Sequence, residues 1–119
     1  MGLYNFQPRF APFILDGRKT HTIRAIRAFP DKPGNTLHLY TGLRTKKAKL
    51  LMRVLCLRVE PIYIREDSFW TATIKIGDEW LRHDERQLLA QRDGFKDLED
   101  MIGFWNGRLP FTGHIIHWK

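Results

Sequence analysis

The run KLLMRVLCLRVEPIYI, residues 49–64, constrains this chain more than any other stretch. It is rich in β-branched and large apolar residues and reads as extended backbone. At this length it can bend around a small barrel. Pro61 has no N–H to give to a ladder, so it marks an edge or a bulge. Three shorter segments carry the same signature: TLHLYTG (36–42), TATIKIG (71–77) and the alternating FTGHIIHW (111–118). THTIRA (20–25) also alternates, which places Thr20, Thr22 and Arg24 on one face and His21 and Ile23 on the other. PDKPGN (30–35) supplies turn chemistry, with Pro33-Gly34 suited to a type II turn.

Helical spacing is confined to three short pieces. In FAPFILDG (10–17), Phe10, Phe13 and Ile14 follow the spacing of a buried face. Pro12 suits the first helical position, and Gly17 can take the positive φ that closes the helix. DERQLLAQRDG (84–94) ends at Gly94. In DLEDMIGFW (97–105), Leu98, Met101, Ile102 and Trp105 form one apolar stripe behind Asp97, an N-cap residue. The expectation is an α+β fold: one domain over residues 1–119, a small mixed β-barrel of about five to six strands with short helices flanking it.

Charge is divided unevenly. Residues 1–60 hold 12 Lys/Arg against 3 Asp/Glu, whereas residues 61–119 hold 8 against 10. A half-chain this basic suits a polyanionic partner, nucleic acid first. No apolar run approaches the ~20 residues of a membrane helix, so no membrane partner is expected. The amino end lacks the charged-then-apolar order of a signal peptide. The single cysteine, Cys56, reads as an inert core thiol in a reducing compartment, which points to the cytoplasm.

The densest polar stretch is GRKTHTIR, Gly17 to Arg24. It fits G-x-K-x-x-x-x-R, with Gly17, Lys19 and Arg24 at the fixed positions. A short helix precedes it, a Pro-Gly turn and LHLYTG follow, and RDGF with an amphipathic helix lies downstream. In these features the chain resembles the ASCH family, small relatives of PUA RNA-binding domains. The resemblance implies a PUA-like barrel whose cleft, beside the first helix, holds RNA or a nucleoside. One bacterial branch, an amidohydrolase that deacetylates acetylated cytidine, carries a similar GRKT-x-TIR stretch. By that likeness Lys19 and Thr22 fall on a catalytic lysine and threonine, and Asp93 falls where the branch has a glutamate one methylene longer. Other ASCH proteins cut single-stranded RNA.

The residues themselves support two kinds of chemistry. A hydrolase could use Thr22 as nucleophile, a desolvated Lys19 as base and Asp93 as an orienting carboxylate. A binding module could use Lys19 and Arg24 on phosphate, with Arg18, Thr20 and the loop cations Arg44, Lys46 and Lys47 beside them, and Tyr40 or Trp70 stacking a base. The expected ligand is RNA or a modified nucleoside, with hydrolysis of acetylcytidine or of single-stranded RNA as the alternative. His114 and His117 alternate faces on a strand, so they are poor co-ligands for a metal. No glycine-rich phosphate loop is present, and no cofactor is expected.

Overall fold

A computed structural model describes residues 2–68 and 71–118, so Trp70 lies outside the described residues. The fold is α+β, with strands in two sheets and three short helices. In chain order the elements are β1 (Gly2–Phe6), α1 (Ala11–Leu15), β2 (His21–Ala25), β3 (Thr36–Thr41), β4 (Lys49–Leu55), β5 (Arg58–Ser68), β6 (Thr71–Ile76), β7 (Glu79–Trp80), α2 (His83–Arg92), α3 (Leu98–Trp105) and β8 (Phe111–His117). One sheet has the order β1-β3-β4, with β1 parallel to β3. The other is antiparallel, in the order β2-β8-β5-β6-β7. Among the described residues no helix is long and apolar enough to cross a membrane.

The run 49–64 does turn a corner, but as two strands. At Cys56 and Leu57 the chain leaves one sheet for the other. The Cys56 N–H donates to Asn35 O, and the Cys56 carbonyl accepts from Gly34 N, both at 2.8 Å. The next residue, Leu57, donates to His117 O on β8 at 2.8 Å. Pro61 then lies opposite His114 in the β5–β8 ladder, and its carbonyl accepts from Gly77 just beyond the end of β6. Its missing N–H therefore faces the β6 side, where the β5–β6 ladder ends at Ile62 opposite Ile76.

Two strands lie outside the sequence expectation. The short β7 follows β6 in a tight hairpin. In β1, Gly2, Tyr4 and Phe6 are buried and alternate with exposed Leu3 and Asn5. Pro12 occupies the second helical position, because a 3-10 turn over Pro8–Phe10 feeds directly into α1. Asp97 caps α3 as its sequence suggests, accepting from Asp100 N at 2.9 Å.

The core fills the space between the sheets and α3. Leu37 and Leu39 of β3, Ile62 and Ile64 of β5, Ile74 of β6 and Ile115 of β8 are buried there with Leu98 and Met101. β2 and β8 approach so closely that a Cβ on Gly113 would meet Arg24 O at 2.3 Å and the Phe111 ring at 2.5 Å. Backbone on one side and packed ring on the other leave no easy relief. Gly113→Ala is expected to destabilise the fold by about 3 kcal/mol, the upper end of overpacking costs. A urea midpoint unchanged by that substitution would show that the two strands are not held at this spacing.

Candidate functional site

The site begins with a change of direction. Gly17, at φ +85°, ends α1, and the Lys19 N–H then returns to Phe13 O at 2.9 Å. A straight strand would place Lys19 and Thr22 on opposite faces. Lys19 instead precedes β2, and the turn sends its side chain inward until only 4% of the residue is exposed. Its Nζ donates to Asp93 Oδ1 at 2.6 Å and to Asp93 O at 2.7 Å. Asp93 follows the last turn of α2, ahead of Gly94 at φ +103°. A Cβ on Gly94 would approach Phe10 Cδ1 to 2.7 Å, so α1 and the end of α2 pack closely around the ion pair.

Burial of two opposite charges succeeds only when each is compensated. Asp93 supplies two oxygens to Lys19, while the Phe6 and Phe10 rings lie 5.7 and 5.2 Å from the ammonium. Burial pushes the Lys19 ammonium below its ordinary range; Asp93 opposes that effect and Arg24 adds to it. Burial also pushes the Asp93 carboxyl up, but Lys19 and His21 together outweigh it and hold the group below the usual carboxylate range. His21 Nε2 lies 3.1 Å from Asp93 Oδ1, within ion-pair reach, yet it is too poorly aligned to count as a hydrogen bond.

Arg24 forms the second node. Its Nε donates to Thr22 Oγ1 at 2.9 Å and its Nη2 to Asn5 O at 2.7 Å. Phe6 lies 4.7 Å and Tyr4 5.4 Å from the guanidinium carbon. Burial, reinforced by Arg27, lowers its pKa to about 10, which still leaves it charged at neutral pH. Asn5 in turn accepts from Leu43 N at 2.9 Å, and this fastens the loop between β3 and β4 to the same node.

Lys19, Thr22, Arg24 and Asp93 all line one cleft of about 430 Å³. Its walls are aromatic: Phe6, Phe10, Phe95, Phe104, Trp105 and Phe111 line it, with Phe10 edge-on to both Phe95 and Phe104. Lys19 has three N–H donors, and its two protein acceptors leave one for a ligand. Thr22 uses its oxygen as an acceptor for Arg24, which leaves its hydroxyl proton to be donated or removed.

Other sequence candidates stand elsewhere. Arg18 is exposed, pairs with Asp16 at 2.6 Å, lies over Phe13 and lines a separate depression with Gln91, Gly94 and Lys96. The turn that sends Lys19 inward sends Arg18 out. Thr20 lines a second cleft with His21 and His117. Tyr40 is half-buried on β3, opposite Asn5, and is absent from the cleft lining. Arg44, Lys46 and Lys47 are exposed on the loop that Asn5 anchors and do not line the cleft. Three lining residues carried no sequence signal: Asn5, Gln7 and Arg108, the last over the Phe104 ring at 4.6 Å. His114 and His117 occupy different surroundings, and no cluster able to hold a metal occurs among the described residues.

Comparison with protein-family models, with curated proteins and with solved structures found no match.

Proposed function

We propose that this chain is an ASCH-type domain with a PUA-like barrel, acting in the cytoplasm, and that its cleft binds RNA or a modified nucleoside. The observation that carries this reading is the convergence of Lys19, Thr22, Arg24 and Asp93 on one aromatic-walled cleft. Its volume lies within the range of small-ligand sites, which a nucleoside fits. Cations at its base meet phosphate or carbonyl oxygens, aromatic walls offer stacking surface, and Arg44, Lys46 and Lys47 extend the positive charge outward along a strand.

One contact favours a second reading, hydrolysis. Arg24 Nε rests on Thr22 Oγ1, so a charge developing on that oxygen would meet a cation already in place. In amide deacetylation Thr22 Oγ attacks the acyl carbon and its proton passes to Lys19. The carbonyl electron pair then returns to expel the amine, which takes a proton from Lys19. Water releases the acyl group from Thr22 as carboxylic acid.

The two readings separate in one experiment. Under the binding reading, Lys19→Ala lowers affinity for single-stranded RNA about tenfold or more at low salt, while Thr22→Val changes it by less than about twofold. Under the hydrolytic reading, both variants lose turnover of acetylcytidine. Anisotropy on labelled RNA and chromatography of acetylcytidine read the two effects. RNA binding that is indifferent to Lys19, together with intact acetylcytidine at high protein concentration, would sink both.

A further inference from the structure

We propose that the depression beside the cleft, lined by Arg9, Arg18 and Lys96, receives the phosphodiester backbone of an RNA strand whose neighbouring nucleotide occupies the cleft. The ligand class is then single-stranded RNA rather than a free nucleoside. The inference rests on the RNA-binding reading of the cleft and narrows its substrate.

The two hollows share a wall. Phe95 lines both, and three segments pass between them with one residue on each side. Phe10 lines the cleft and Arg9 the depression; Lys19 lines the cleft and Arg18 the depression; Asp93 lines the cleft and Gly94 the depression. Gly94 keeps this partition thin, since a Cβ there would approach Phe10 Cδ1 to 2.7 Å. Arg9 stands on the partition, its guanidinium carbon 5.0 Å from the centre of the Phe10 ring and 5.2 Å from that of Phe95. A strand leaving the cleft across these two rings meets Arg9 first.

The depression has a volume of about 550 Å³, and among the described residues that line it three are cations and one, Asp100, is an acid. Its cations are held in place but not used up. Arg9 Nη2 donates to Asp100 Oδ2 at 3.0 Å, which leaves the rest of its fork to donate elsewhere. Arg18 gives Nε and Nη2 to Asp16 Oδ2 at 2.7 and 2.6 Å, with Phe13 4.4 Å from its guanidinium carbon, and keeps Nη1. The Lys96 ammonium has no ion-pair or hydrogen-bond partner among the described residues; only its backbone N–H is bonded, to Asp100 Oδ2 at 2.9 Å. Exposed ion pairs contribute little to stability, so a phosphate can displace either carboxylate at small cost. The stacked guanidinium groups are already ordered and lose little further freedom on meeting it.

The chemistry selects a repeated phosphate. Two guanidinium forks and an ammonium match phosphate oxygens, and the exposed Gln91 amide adds a neutral donor beside them. Donors of this kind fix the position of a strand and read no sequence, in contrast to the mixed donors and acceptors of the cleft. The three cations come from separate segments: the turn before α1, the turn after it and the connection between α2 and α3. An anion repeated along a chain suits cations dispersed in this way. The turn at Gly17 thereby serves both hollows, sending Lys19 into one and Arg18 into the other.

The test is fluorescence anisotropy across salt concentration with a labelled single-stranded RNA about ten nucleotides long, on wild type and on a triple Arg9→Gln, Arg18→Gln, Lys96→Gln variant. Glutamine keeps an amide donor and removes the charge. The expected result is roughly hundredfold weaker binding at low salt and a salt slope lower by about 2, at about 0.7 for each cation. Acetylcytidine carries no phosphate and should bind both proteins alike, as read by NMR at the Thr22 and Ile23 amides. Lys96→Glu, at a side chain with no partner to lose, should weaken RNA binding about tenfold by itself, and it decides the matter if the triple variant does not fold. An unchanged salt slope in the triple variant, an unchanged affinity in Lys96→Glu, or equal losses of acetylcytidine and RNA binding overturns the proposal. Arg24→Met reports on the cleft separately. RNA binding that falls with Arg24→Met but not with the triple variant removes the depression alone, whereas RNA binding indifferent to Arg24→Met removes the cleft reading.

Discussion

Asp93→Ala should cost the fold about 3–5 kcal/mol, the penalty for leaving one member of a buried ion pair without its partner. Lys19 is 4% exposed and Asp93 5% exposed, so neither charge can turn to water when the other is removed. Lys19→Met should be comparably damaging, because it leaves the carboxylate with only a poorly aligned histidine. The double variant Lys19→Met, Asp93→Leu removes both charges at similar volume and should regain most of the loss. Urea midpoints with unchanged slopes would read these differences directly. The pH dependence has a definite sign. The folded Asp93 carboxyl lies below its ordinary value, so its stabilisation is present above the unfolded carboxyl pKa, about 4, and is lost as pH falls through the folded value. Wild type should therefore lose stability toward acid more steeply than the double variant. If the two single variants melt like wild type, the pair is not buried as described.

The parts of this architecture that were legible in sequence are those written locally. Asp97 and the stripe from Leu98 to Trp105 specify α3, because cap and apolar face lie within one short segment. Gly17, Lys19 and Arg24 announce a polar site, because their spacing is contained in eight residues. What was hidden depends on distant partners. Asp93 precedes a glycine and reads equally as an ordinary turn residue; only the fold sets it against Lys19, 74 residues away. β1 is parallel to β3, so its pairing partner follows a long crossover that no hairpin signal announces. The break at Cys56 and Leu57 lies inside the apolar stretch VLCL (54–57), and the carbonyls that fix it belong to Asn35 and His117. Arg18 and Lys19 are adjacent cations with the same local chemistry. The turn set by Gly17 decides which of them enters the cleft.

Arg24→Met should weaken single-stranded RNA binding by about two orders of magnitude at low salt and flatten its salt dependence by about one phosphate contact, about 0.7 in slope. Methionine keeps apolar volume against Phe6 and Tyr4 but donates nothing. Two hydrogen bonds are lost, one to Thr22 Oγ1 and one to Asn5 O. Asn5 also accepts from Leu43 N, through its side-chain Oδ1 rather than the backbone oxygen that Arg24 meets, and this bond fastens the loop bearing Arg44, Lys46 and Lys47. Asn5→Ala removes that anchor: the loop then presents its cations without register, and ordering them on RNA costs entropy that the folded protein had already met. Hydrogen exchange at the Leu43 amide should accelerate in Asn5→Ala. Arg24→Lys should restore little, since one ammonium cannot span acceptors that the planar guanidinium reaches at 2.9 and 2.7 Å. A triple Arg44→Ser, Lys46→Ser, Lys47→Ser variant separates charge from anchoring: it should flatten the salt slope while leaving Leu43 exchange at its wild-type rate. An Arg24→Met protein with unaltered salt slope, together with an Asn5→Ala protein with unaltered Leu43 exchange, would disconnect the cleft from the loop, and the case for an extended polyanion crossing both would go with it.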